Sequence, residues 1–190
     1  RKRSQVALDR KFRQGAYDPA QLVTDVVGDL RDAGEDLASV VLHRIASAHR
    51  PDRQAFWVFA LEAPGAAVRP VTTGALADVP GLDRAAVLPM SDPLESRNSF
   101  HALTADAGDP PYAEGELANG LRAAGFVAAL PLFSGDGEPL GLIGLGAKRT
   151  GETYVPEEQR ILGTVAGHVA LALERAALTR QVDEDRRVRE

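Results

Sequence analysis

The sequence predicts an α+β domain built around an antiparallel sheet of about five to six strands. Three observations carry that expectation: a glycine-cornered hairpin around residue 136, an earlier pair of strand-length runs broken by Pro64 and Gly65, and helical periodicity at both ends of the chain.

The hairpin lies in FSGDGEPLGLIGLGAKRT, residues 133–150, with glycines at 135, 137, 141, 144 and 146. A phosphate-cradling loop needs its glycines where a strand gives way to a helix, so that N–H groups and the helix dipole converge on the anion. Here VAALPLF before Ser134 and PLGLIGLGA after Glu138 are both short apolar runs. The corner Gly135, Asp136, Gly137 therefore joins two strands, because glycine accepts the positive φ of a tight turn.

Ahead of the hairpin, Leu22, Val23, Val26, Val27 and Leu30 form one stripe of a helix that starts at Pro19 and ends near Gly34. A second helix follows from Asp36, with Leu37, Val40, Val41, Ile45 and Ala48 on one face and Pro51 beyond its end. QAFWVFALE reads as a central strand and AAVRPVTTGAL as its hairpin mate, placed at an edge by Pro70. AAVLPM is a third, weaker strand candidate. From Ser91 to Pro111 no period is present, and a short helical turn at Pro93 to Arg97 followed by a long loop is expected. A short helix from Ala113 to Ala124 then delivers the chain into the hairpin.

The last helix starts at Pro156, Glu157 and Glu158, a favourable proline position and charge for a helix start. Apolar residues recur from Ile161 to Leu178 on more than one side, so packing on the helix's own sheet leaves surface for a partner helix. Beyond Thr179, QVDEDRRVRE has the mixed charge of a coiled-coil connector.

A chain of 190 residues, 44% hydrophobic, suits one domain with a helical extension. No run approaches the roughly 18 apolar residues that cross a bilayer, and no secretory signal is read at the start. The absence of cysteine excludes disulfides, thiolate metal sites and cysteine nucleophiles. Net charge is −5, which gives no reason to expect direct nucleic-acid binding. RKRSQVALDRKFR sets six basic residues against Asp9. It reads either as a stretch on the cytoplasmic side of a membrane helix or as a solvated tail.

Taken together, PLFSGDGEPLGLIGLGAKRTGETYVPEE followed by QRILGTVAGHVALALERAAL resembles a GAF domain, over about Leu37 to Leu178. DRKFRQGAYDPAQLV resembles the segment that precedes such domains in membrane-attached bacterial histidine kinases and type-2C-like phosphatases. The resemblance implies helices packed on one face of the sheet and a loop-roofed small-molecule pocket on the other. It divides the chain into a basic segment and linker helix (1–34), the GAF domain (35–178) and the start of a connector (179–190). This sequence lacks the cysteine that anchors bilin in phytochrome relatives, the cysteines of the methionine-sulfoxide reductase branch and the NKFDE-type motif of cyclic-nucleotide binders. It therefore implies no covalent cofactor and leaves room for a non-covalent small ligand. Val155 stands where relatives have a capping Ser or Thr, a loss of about 1 kcal/mol unless Thr153 or water substitutes.

Catalytic and metal constellations are not found. His43, His49 and His168 lie on predicted helices, and none of the four histidines has an HExxH-type partner. Ser134 sits at a hairpin turn, not at a strand-to-helix nucleophile elbow. Candidate pocket residues are Trp57, Met90, Phe100, His101, Tyr112, Leu121 and Phe126, with plain core packing the alternative reading of the large apolar ones. Candidate dimer-interface residues are Leu22, Val26, Leu171, Leu178 and Val182.

The expected function is a non-catalytic sensory or regulatory module of a bacterial signal-transduction protein, with a sensor histidine kinase of a two-component system as the leading host. Its expected partners are a second copy, an effector domain following it and a membrane region upstream, which places it in the cytoplasm or on the cytoplasmic side of an anchor. The alternatives are the input domain of a type-2C-like phosphatase and the effector-binding part of a transcription regulator. A collapsed, empty pocket would leave dimerisation as the remaining role.

Overall fold

Helix α1 (Pro19–Leu30) and helix α2 (Leu37–His49) lead into strand β1 (Arg53–Val58) and strand β2 (Val71–Gly74). A 3-10 helix (Arg84–Met90) and the two-residue strand β3 (His101–Ala102) precede helix α3 (Glu116–Ala123). Strands β4 (Ala128–Phe133) and β5 (Pro139–Leu145) form the predicted hairpin, and helix α4 (Pro156–Arg189) closes the chain. The computed structural model describes residues 19–30, 36–60, 62, 65–74, 79–90, 98–104 and 114–189. The expected turn at Pro93 to Arg97, Tyr112 and the basic N-terminal segment lie outside the described residues.

The five described strands pair antiparallel in the order β2, β1, β5, β4, β3. Every residue of β4 and β5 is buried, which places this hairpin at the sheet's centre. Its turn closes through Ser134, whose N–H donates to the Glu138 carbonyl at 2.9 Å and whose hydroxyl accepts the Glu138 N–H at 3.0 Å. Gly137 takes the left-handed φ of 89° that the turn demands. β2 lies at an edge, where Pro70 can precede it without removing a ladder donor.

Alternation divides β1 between two layers. Phe56 and Val58 face α1, α2 and α4, in a core shared with Val41, Ile45, Leu130, Ile143, Leu162, Val165, Val169 and Leu173. Ala55, Trp57 and Phe59 face the opposite layer, with Val87, Met90, Leu103, Leu121, Phe126 and Phe133.

Three elements differ from the sequence reading. AAVLPM is not a strand. Asp83 accepts the Ala85 N–H on its side chain and the Ala86 N–H on its carbonyl, starting a helical turn, and Pro89 has no N–H for a ladder. Helix α1 is not a linker outside the domain: Leu22 and Val26 are buried in the core with α2 and α4, so neither is available to a partner chain. Val27 and Leu30 form its partly exposed side. Helix α4 carries an 18-residue window of mean hydropathy 1.4, enough by length and composition for a bilayer span. Its face from Leu162 to Leu173 is buried on the sheet and serves as core.

At the start of α4 Val155 supplies no side-chain acceptor, but its own N–H is held from within the first turn. Glu158, three residues on, reaches back and accepts the Val155 N–H at 2.9 Å, which is the glutamate half of a capping box. The same carboxylate holds Lys148 through two hydrogen bonds of 2.8 and 2.6 Å.

At Gly141 the strand meets a neighbouring backbone, since an added Cβ would lie 2.7 Å from the Trp57 carbonyl oxygen of the paired strand. The ladder cannot move aside without breaking its pairing. Gly141→Ala is expected to cost about 1–3 kcal/mol, read as a lower denaturant midpoint; an unchanged midpoint contradicts the assigned approach of β1 to β5.

Candidate functional site

The sheet face opposite the three long helices is roofed by the 3-10 helix and α3, and gathers four of the predicted pocket residues into one cluster. Trp57, Met90, Leu121 and Phe126 are all buried in it. The Trp57 and Phe126 rings meet edge to face with centroids 5.9 Å apart. Gly144, opposite Ala55, lets Phe126 lie against the strand, since a Cβ there would stand 3.0 Å from its ring. The indole N–H of Trp57 donates to the Pro80 carbonyl at 3.0 Å, so the polar edge of the ring already has its partner.

The other predicted pocket residues divide. Phe100 packs on the opposite layer, with its ring 5.5 Å from Tyr154 and its side chain against the helical core. His101 pairs with Ala129, so alternation puts it on the same face as Trp57, where it is half-buried. Its Nε2 lies 3.2 Å from Ser99 Oγ. Asn98 Oδ1 accepts the Phe133 N–H at 2.6 Å, and Gly163 on α4 faces the Asn98 carbonyl and Ser99 across a gap that a Cβ would fill. The segment 98–100 is thus held by both the sheet and α4.

Val87, Leu103, Phe133 and Leu142 belong to the same apolar layer and were missed in the sequence. Alternation along β4 and β5 carried the signal for Phe133 and Leu142. The layer offers shape and dispersion, with the His101 imidazole and the Ser99 hydroxyl at its edge.

A second constellation lies beneath the start of α4. The His49 side chain, 2% exposed, sits 3.4 Å through Nδ1 from Glu158 Oε1. Its ring stands 6.1 Å from that of Tyr154, whose hydroxyl donates to the Gly146 carbonyl at 3.0 Å. Burial pushes the His49 imidazole below its ordinary 6.5, and the Lys148 ammonium pushes the same way, while Glu158 opposes them. Burial alone would raise the Glu158 carboxyl, but the hydrogen bonds from Lys148 and Val155 and the Lys148 charge hold it below 4.5. Burial, with the charges of Glu158 and Asp52, raises the Tyr154 phenol well above its ordinary 10.0.

The fold and the site place the chain by comparison as well as by geometry. It belongs to the GAF domain family, whose model matches residues 17–174. That match begins before α1, in agreement with the burial of Leu22 and Val26. The structure is similar to the phycoerythrobilin-bound GAF domain of a cyanobacterial phytochrome, with a TM-score of 0.58 at 14% identity over 86% of this chain and 98% of that one. It is similar to the GAF domain of the potassium sensor histidine kinase KdpD from Escherichia coli, with a TM-score of 0.56 at 21% identity over 86% and 98%. A third similar structure is the GAF domain of a phosphoenolpyruvate-protein phosphotransferase from Coxiella burnetii, with a TM-score of 0.55 at 16% identity over 85% and 95%. At these identities the likeness is one of fold. No curated protein matches the sequence.

The buried constellation sets a pH dependence. His49 and Glu158 have lowered folded-state values, so the unfolded chain binds more protons and stability falls as pH drops below 6.5 and again below 4.5. Tyr154 has a raised value, so its contribution is lost as pH rises above 10.0. Denaturant midpoints across pH are expected to fall on both sides, and His49→Phe to remove the decline just below 6.5; an identical acid limb in that variant contradicts the assignment.

Proposed function

We propose that this GAF domain is a non-catalytic sensory module of a multidomain signalling protein, most simply a sensor histidine kinase, paired with a second copy through α4. The observation that carries this reading is the two-sidedness of α4. While one face completes the core, Leu171, Leu178 and Val182 are 45%, 58% and 65% exposed along its other side. Next to this ridge a groove of about 430 Å³ is lined by Val27, Leu30, His168, Leu171, Ala172 and Arg175. A second α4 laid along the ridge would cover apolar surface that a single chain leaves in water. The kinase host is supported by the likeness of the fold to the KdpD GAF domain, and a site beneath a membrane by the basic block at residues 1–13.

On this reading a small apolar ligand inserts into the layer of Trp57, Phe126 and Leu121. It biases two arrangements of the α4 pair, and an effector following the domain reads the difference. The phycoerythrobilin-bound relative supports the fold's capacity for a small molecule, and the absence of cysteine rules out a thioether-linked guest here.

Sedimentation tests the pairing. The unaltered chain is expected to dimerise, and Leu171→Asp or Leu178→Asp to dissociate it while leaving the circular-dichroism spectrum unchanged. A chain that stays monomeric at high concentration, with both variants indistinguishable from it, overturns the pairing. The ligand face has its own reporter, because Trp57 is the only tryptophan in the sequence. Apolar and aromatic metabolite-sized compounds that bind are expected to shift its emission and raise the melting temperature, and Leu121→Phe to suppress both effects by filling the layer while leaving Trp57 the sole reporter.

A further inference from the structure

The cluster at the base of α4 contains one group that capping and packing leave unused. Neither ring nitrogen of His49 has a hydrogen-bond partner, although the side chain is buried. A hydrocarbon ring would fill the same space without orphaned polar atoms, so the imidazole is to be judged by what it can bind. Its Nδ1 lies 3.4 Å from Glu158 Oε1, at ion-pair distance but outside hydrogen-bond geometry. Across the carboxylate, Lys148, 7% exposed, donates to both oxygens, at 2.8 Å to Oε1 and 2.6 Å to Oε2. Oε2 also takes the Val155 N–H, so Oε1 is the less committed of the two.

The charged and titratable neighbours come from every element around the ring. Glu158 approaches from α4, and Lys148 and Tyr154 from the connection between β5 and α4, while Asp52, after α2, acts on Tyr154. Lys148 also stands 5.2 Å over the Tyr154 ring, and the Tyr154 hydroxyl is engaged at Gly146. Only Glu158 is close enough to receive a proton-bearing Nδ1.

We propose that His49 and Glu158 form a proton-operated latch, in which protonation of the imidazole turns the 3.4 Å approach into a charged hydrogen bond from Nδ1 to Oε1. One proton is taken from solvent per chain, and the new N–H is the only bond formed. Lys148 is the competitor, because it shares Oε1 and its charge faces the same space. When the latch closes, Lys148 keeps Oε2 and the last turn of α2 is tied to the first turn of α4. The open state is the one seen here, with Glu158 held on the Lys148 side. The consequence for signalling rests on the reading of α4 as the output helix; the titration itself does not.

Imidazole titration by NMR on the full chain tests the latch, with Lys148→Gln and Glu158→Gln as opposed variants. Lys148→Gln removes the competing charge but keeps a donor, and is expected to raise the His49 midpoint. Glu158→Gln is expected to lower it. In the unaltered chain, the Val155 and Glu158 amides are expected to move with the His49 midpoint, a readout that needs no variant to fold. Amides that ignore that midpoint overturn the proposal, as do variants that leave the midpoint in place or shift it in the same direction. A strictly monomeric chain would sink the pairing of α4 and leave this titration unchanged.

Discussion

Burial of the β4–β5 hairpin on both faces is the constraint on which the rest of the fold depends. A strand covered on both sides must be apolar at every position and must still let its neighbours close in, which explains PLGLIGL in β5. Leucine and isoleucine fill the layers, while Gly141 and Gly144 stand where the Trp57 carbonyl and the Phe126 ring come too near for a side chain. With that strand in place, β1 and β4 are fixed on either side of it. One face then receives three helices and the other the roof of α3 and the 3-10 helix.

Helix α4 differs, since its apolar residues lie on more than one side. Leu162, Val165, Val169 and Leu173 are spent on the core, and Leu171, Leu178 and Val182 are not. At its first turn one carboxylate joins three tasks: it caps the helix, neutralises a buried lysine and stands beside a buried histidine. Removing Glu158 would therefore act on helix start, ion pair and imidazole together, and the three effects would not add.

The parts of this architecture that were legible in the sequence are those written in local pattern. The Asp-Gly corner announced the hairpin, Pro70 the edge strand, and Pro156 with two glutamates the start of α4. What was not legible depended on partners distant in the chain. The stripe Leu22, Val26 on α1 says that one side is covered, but not whether by this chain or another, and here it is this chain's own core. Phe100 and His101 are neighbours in sequence, yet entry into β3 turns them to opposite layers. The run AAVLPM has no period, and a single side chain, Asp83, decided for the 3-10 helix. His49, Lys148 and Glu158 left a trace only in the uncapped Val155 followed by glutamate at the third helical position.

Leu173 is the last fully buried residue of α4 among those described, and the helix runs on to Arg189. At 1.5 Å per residue the portion beyond Leu173 is about 24 Å long. Its geometry is that of a lever arm whose fulcrum is the sheet. A tilt of only about 5° at that fulcrum moves the far end by about 2 Å, so displacements too small to disturb the packed interior become, at the tip, as large as the difference between one side-chain contact and the next.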